Sequence, residues 1–577
     1  MLGRERSQRS LFDAGLSVEH LLTPGSFYEV LYRDVDRLLR DEDFVGCYDN
    51  TTGRPSVPPG RMAKLVLLQT YEDLSDRAAL ERMTFDLRWK AILGMELGEA
   101  PVGQATLVEF RARLQLHGQL RAVFDRFLTM ALRAGLIQAD TVQAIDSTAI
   151  WGRGAVEDTY NLLGAGIRKL LGATARRRGT TAAAVARELA LILSDPADAR
   201  SLKGRAGIHW EVAAERRVFL TRVVEEARQL LRATGTDQQA DPEVAEAAAL
   251  LRRIVVQDVQ PAAAAGPPAP PPNADPPGRS SEAAAPGPAI TPAVPSADVL
   301  TPGTPVQLRQ GVTPDRVVSV GDPAMRVGHK SLHQAWAGYK AHVSVDTATE
   351  LMTGLTVSSA TAYDGDLAPP VLEAQRAVGL TPAALVGDQA YSKAAVRVAV
   401  AALGSELIAR VPPAGGIPGY FSKDAFTIDV AARSVRCPAG VETRDLRRRR
   451  RGALFVFPAA GCAACALRAQ CTPRSAAWIR QRCLGRTVEL HPFEAVLQAA
   501  RAAAETPRVQ ALLARRTAVE RRRALLMRMG LRQARYVGST KVEFQGVASA
   551  LVVNLRRLGA LFSTAPPRRA QWVAAGA

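Results

Sequence analysis

The sequence predicts an α/β fold: a mixed sheet flanked by helices, interrupted by insertions and preceded by an all-α N-terminal region. Three observations carry this. Through most of the first 136 residues, apolar positions recur at three- and four-residue spacing. Near residue 141 the period drops to two in TVQAIDSTAI, as a half-buried strand requires. Beyond residue 337, strand-like and helix-like segments alternate, which is the pattern of a sheet covered by helices.

A chain of 577 residues is long enough for a large core and for more than one folding unit, so a small disulfide-stapled peptide is excluded. Lys and Arg total 74 against 56 Asp and Glu, and the resulting formal charge of +18 favours a polyanionic partner. No apolar run approaches the ~18 residues a membrane-spanning helix requires. The opening MLGRERSQRSLFDAG has no apolar segment behind its basic residues to act as a signal peptide. The expectation is a cytoplasmic chain with no membrane partner and six reduced cysteines.

Taken in order, FYEVLYRDVDRLL and RMAKLVLLQTYEDL read as helices punctuated by Pro58, Pro59 and Gly60. SDRAALERMTFDLRWKAILGM starts at an N-cap, Ser75 or Asp76, and TLVEFRARLQLHGQLRAVFDRFLTMALRAGL extends the helical unit to 136. This unit is either a DNA-binding module or a packing bundle. Residues 137–154 carry the first strand, which Asp146 is expected to close, and 155–256 form an Ala- and Arg-rich helical insertion. Of the 36 prolines, 14 fall between 261 and 305, so 257–310 reads as an extended or disordered linker.

The sheet resumes over 311–411. GYKAHVSVD and ELMTGLTVSS form a hairpin; DGDLAPPVLEAQRAVG is a helix entry and helix, AALVGDQAY a strand, SKAAVRVAVAAL a helix and SELIARVPP a strand. Residues 412–490 are irregular and hold five of the six cysteines. A long helix over 494–529 is expected within a last unit spanning 491–562, followed by a disordered tail, 563–577.

Three acids stand out by position: Asp146 and Asp388 at strand ends and Glu520 in the last long helix. Carboxylates on neighbouring strands, joined by one from a packed helix, can converge on a pair of hard divalent cations and support in-line displacement at phosphorus. Each has a plainer reading. An Asp after a strand is often a turn former, and Glu520 can simply pair with Arg516 one turn earlier. Glu520 falls at the margin of the stripe Leu512, Val519 and Leu526, where a site carboxylate on a packed helix belongs.

Cys437, Cys462, Cys465 and Cys471 have the spacing C-x24-C-x2-C-x5-C, and their CxxC can offer two thiolates to zinc, Zn2+, with reduced structural thiols as the alternative. Cys483 is a substitute ligand and Cys47 is too remote to assign. Arg447, Arg448, Arg449, Arg450 and Arg451 form a run suited to DNA phosphates. Lys340 and His342 lie on a strand beside the presumed site, to touch phosphate or to solvate an edge. His329 and His333 are not spaced as metal ligands.

The order of AIDST, GYKAHVSVD, LVGDQAY and RRTAVERRRALL, with RYVG and a terminal ALVVNLRRL, resembles the DDE transposases of bacterial insertion sequences. The stretch from FYEVLYRD through PSVPPGRMAKLVLLQTYEDLSDRAALERMTFDLRWKAILGM to GQATLVEFRARL resembles their helical leading domain. This resemblance implies a ribonuclease-H-like core in which Asp146, Asp388 and Glu520 hold Mg2+ or Mn2+, with Arg516 near a DNA phosphate. Two positions depart from the family pattern: Leu513 stands where many relatives have Tyr, and Met527 where Lys is expected. Arg523 or Arg528 is then the replacement phosphate contact. Related transposases also carry a similar CP…CxxC…C insertion. The implied function is cleavage at element ends and strand transfer into target DNA, by a nucleoid-associated homodimer on double-stranded DNA. The alternatives are a catalytically degenerate DNA-binding protein and a metal-dependent nuclease without strand transfer.

Overall fold

The computed structural model describes residues 1–5, 8, 10–49, 53–194, 196, 200–262, 297–331, 333–449 and 452–576. Its centre is a six-stranded mixed sheet, numbered here in chain order: β1 (Val142–Trp151), β2 (Arg326–Ser331), β3 (Gln334–Asp346), β4 (Met352–Ser359), β5 (Ala384–Val386) and β6 (Glu406–Ile408). The hairpin of β3 and β4 forms as its alternating pattern requires, and β2 shares that edge of β3. On the other side β3 pairs antiparallel with β1, and β1, β5 and β6 run parallel. The parallel registers pair Ala144 with Val386 and Val386 with Ile408.

Side chains alternate across β1, so the sheet feeds two cores. Ala144 and Ile150 join Tyr339, Val343 and Leu355 against the Ser539–Thr564 helix, while Ile145 and Leu385 pack on the other face with Leu372, Tyr391 and Val400. The first core also contains Val30, Leu31, Leu65, Leu68 and Phe127 from the N-terminal helices. The first 136 residues are thus helical, but they share their core with the sheet instead of enclosing one of their own. Local capping sets their boundaries. Ser75 Oγ accepts from the Ala78 amide at 3.2 Å, and Pro59 opens the Pro59–Tyr71 helix, where a missing N–H costs nothing.

The helical insertion builds a separate core from Leu163, Ile167, Leu170, Val224, Leu251 and Ile254. The expected linker is shorter than its composition suggests. Val259–Pro261 pairs antiparallel with Val306–Leu308, closing the insertion at its base, while most of the proline-rich stretch lies outside the described residues.

Three further expectations are corrected. Asp146 does not close its strand: β1 runs five residues past it because antiparallel β3 continues the ladder to Trp151. The long helix over 494–529 is three pieces, Glu494–Ala504, Pro507–Ala514 and Thr517–Leu526. Pro507 starts the second piece, capped by Thr506 Oγ1 on the Val509 amide at 3.4 Å. The expected tail, 563–577, is not loose over its described residues, which end at 576. Pro567–Ala575 is a helix whose Trp572 is fully buried, 5.2 Å from the Phe127 ring, with Nε1 donating to Asp34 O at 3.0 Å.

Candidate active site

The parallel register brings two of the three acids together. Carried two residues past the Ala144–Val386 pair, it sets Asp146 beside Asp388 on the same side of the sheet. Asp146 is 6% exposed; burial pushes its carboxyl up, and the nearby Asp388 charge adds to that while Arg523 and the Ser147 amide oppose it. Asp388 caps the turn after β5, accepting from the Ala390 amide at 2.8 Å.

The third acid arrives on the Thr517–Leu526 helix, which packs across β1 and β3. Arg516, Glu520, Arg523 and Met527 fall on one stripe of this segment. Arg523 Nη1 donates to Asp146 Oδ2 at 2.8 Å and to Ser147 O at 3.2 Å, and Met527 Sδ lies 3.8 Å from Thr148 Oγ1. Glu520, one turn before Arg523, pairs with Arg516 at 2.6 Å, and Arg516 itself is close enough to lower the Asp146 carboxyl. The stripe therefore faces the Asp146 side of β1 with two guanidiniums flanking one carboxylate. Both departures from the family pattern sit here, since Leu513 lines a cavity of 450 Å³ with Asp388.

Arginine fills the role a cation would otherwise take: among the described residues, no group of three or more His, Cys, Asp or Glu is drawn together tightly enough to hold a metal ion. The oxygen donors nevertheless suit a hard cation in kind: Asp146 lies close to Asp388, and Glu520 follows on the helix stripe facing that side of β1, with Arg523 paired to Asp146.

Other basic candidates have partners. Lys340 Nζ donates to Asp364 Oδ1 and to Ala362 O, each at 2.8 Å, so it braces the site instead of facing solvent. Arg447 pairs with Asp445 at 2.9 Å, Arg448 and Arg449 are exposed on the Leu446–Arg449 strand, and Arg450 and Arg451 lie outside the described residues. His342 is fully buried; burial pulls it down to about 4, and Nε2 meets Ser358 Oγ at 2.7 Å.

Asp364 went unrecognised in the sequence. It accepts from Ser147 Oγ at 2.8 Å as well as from Lys340, tying the residue after Asp146 to the turn ahead of the Ala368–Ala377 helix. Its signal was the DGD of residues 364–366, which reads equally well as a helix entry. Arg410, in RVPP after β6, lines the same 450 Å³ cavity as Asp388 and drew no notice in the sequence.

Cys437, Cys462, Cys465 and Cys471 line one apolar cavity of 60 Å³, and burial pushes the Cys462 and Cys471 thiols up. Cys483 is exposed, with its thiol on Arg480 O, and Cys47 is buried in the N-terminal helical region.

Comparison with known families returns two matches. The family described as Transposase domain (DUF772) matches residues 16–113, and the family described as Transposase DDE domain matches residues 436–559, a span that includes Glu520 and every cysteine but Cys47. No curated protein and no solved structure matches. No helix among the described residues is long and apolar enough to cross a membrane. Transposase matches at both ends, with a mixed sheet flanked by helices between them, support a DDE transposase of an insertion sequence.

Proposed function

We propose that Asp146, Asp388 and Glu520 are the metal-binding carboxylates of this transposase, and that it cuts DNA at the ends of its element and joins the freed 3′ hydroxyl to target DNA. The observation that carries this reading is the strand register that sets Asp146 beside Asp388, under a helix stripe bearing Glu520. Bound Mg2+ or Mn2+ would supply activation of the attacking oxygen and stabilisation of the leaving oxygen.

The chain's own residues do the rest. Asp146, fixed through the Ser147 amide, Oγ and Asp364, presents one carboxylate from a rigid strand. Asp388 presents a second from a capped turn. Arg516 and Arg523, paired here with Glu520 and Asp146, would hold the phosphates flanking the reacting bond were those carboxylates to hold cations instead. Arg448 and Arg449 offer sequence-independent contacts to the DNA backbone from an exposed strand. The DUF772-like helices contribute to end binding, and two copies bring two ends together. Cys437, Cys462, Cys465 and Cys471 line one cavity, either as a structural zinc set or as reduced packing thiols.

A supercoiled plasmid carrying the element's ends tests this. With Mg2+ the intact chain should nick and then yield joined products, while Asp388→Asn and Asp146→Asn lose both yet still shift end DNA in a gel. A specific observation favours one rival, a DNA binder without turnover: Arg523 already occupies Asp146. Binding with no metal-dependent cutting of cognate ends would establish that rival.

A further inference from the structure

We propose that Arg410 and the cavity it shares with Asp388 form a binding site for the phosphodiester next to the scissile bond, on the DNA strand leaving the active site. This rests on the catalytic reading of Asp388.

The register makes the case. β1, β5 and β6 are parallel neighbours, pairing Ala144 with Val386 and Val386 with Ile408. Two residues beyond these positions stand Asp146, still within β1, and Asp388 and Arg410, just past the ends of β5 and β6, where both line one cavity. The Gly387 amide donates to Ile408 O at 2.9 Å, so the ladder still holds as the chains leave the sheet.

Arg410 also differs from the other arginines around the site. Arg516 is held by Glu520, Arg523 by Asp146 and Arg508 by Glu406, whereas among the described residues the exposed Arg410 guanidinium has no ion-pair or hydrogen-bond partner. An uncommitted guanidinium beside catalytic carboxylates is suited to a bidentate phosphate contact.

The space fits a segment of chain-like ligand. Arg410, Asp388, Gln389, Gln510, Leu513 and Arg516 line the 450 Å³ cavity, within the size range of ligand sites, and the two amides can meet phosphate or sugar oxygens. Arg410 and Gln510 also line a wider groove of 800 Å³ that runs on to Lys423, Gln498 and Arg501. Of the three carboxylates lining that groove, Glu494 is matched by Lys423 at 2.5 Å and Asp424 by Arg501 at 3.6 Å, and Glu505 lies outside the 450 Å³ cavity. A continuous path with its free cation at the catalytic end fits a DNA strand better than a free phosphate.

The test uses the full chain carrying Asp388→Asn, so that binding is read without cutting, and a duplex oligonucleotide spanning one element end. Arg410→Ala should weaken binding about tenfold and lower the salt slope by about one phosphate, with Arg410→Lys recovering most of the slope. Arg508→Ala, outside the cavity, should change neither. Replacing single phosphates by neutral methylphosphonates should reproduce the loss at one position beside the scissile bond, and at that position Arg410→Ala should add nothing further. Excess inorganic phosphate should not compete. An unchanged salt slope, additive losses at every position, or competition by inorganic phosphate at its ordinary weak affinity would overturn the site. If Asp388→Asn itself cuts as the intact chain does, the catalytic reading falls and takes this inference with it, a result separable from any binding outcome.

Discussion

Arg523→Ala isolates the contact that holds the site closed. The guanidinium donates to Asp146 at 2.8 Å; the Asp146 side chain is 8% exposed and that of Arg523 37%. A hydrogen bond to a charged group contributes roughly 1.5–3 kcal/mol, and solvent screening of the part-exposed Arg523 brings this down to about 1–2 kcal/mol. The loss falls on a buried carboxylate left with only the Ser147 amide. Urea unfolding in EDTA, followed by tryptophan fluorescence, should show this destabilisation in Arg523→Ala. In an Asp146→Asn background, where no charge remains to compensate, the same substitution should cost under about 0.5 kcal/mol, a coupling of about 1–2 kcal/mol. Mg2+ should then stabilise Arg523→Ala more than the intact chain, since the cation no longer has to displace a guanidinium; at a hundred times its Kd a ligand adds about 2.7 kcal/mol. The reasoning is refuted if Arg523→Ala unfolds at the same urea concentration as the intact chain, or if its cost is unchanged by Asp146→Asn.

Trp572→Ala should destabilise by about 3–5 kcal/mol, because a fully buried indole and its hydrogen bond to Asp34 are lost together; a thermal melt within a degree of the intact chain would mean that the C-terminal helix does not dock. His342 is neutral and buried with its folded value near 4, well below the unfolded value of about 6.5. The unfolded chain therefore takes up this proton first as pH falls. The stability His342 contributes is present above about pH 6.5 and is lost between there and pH 4, about 3 kcal/mol in all, and His342→Gln should flatten that part of the stability–pH curve. Metal analysis of the chain purified without chelators should find one zinc per protein, absent from Cys462→Ser/Cys465→Ser, with affinity falling on acidification because the raised thiols must lose their protons. Zinc-free protein that folds normally would leave the four cysteines as packing residues.

What the sequence reveals and what it hides follow from how local each feature is. The hairpin of β3 and β4 was readable because two alternating runs and a short turn sit within one stretch of chain, and Ser75 because a cap acts on the next turn. Asp146 and Asp388 were readable as acids attached to buried strands. Their adjacency was not, since a register between strands some 240 residues apart leaves no mark on either one. The same limit explains the errors in charge. Lys340, Arg447 and Arg523 look like phosphate contacts in the sequence, where their partners Asp364, Asp445 and Asp146 cannot be assigned, and their partners remove them from the pool of free cations. Arg410 is the converse: nothing around it in RVPP attracts attention, yet the register that joins the two aspartates extends one strand further, and among the described residues its guanidinium has no ion-pair partner. In a site assembled this way the informative arginine beside the acids is one the fold has left uncommitted, because such a guanidinium can bind a phosphate without first giving up a carboxylate.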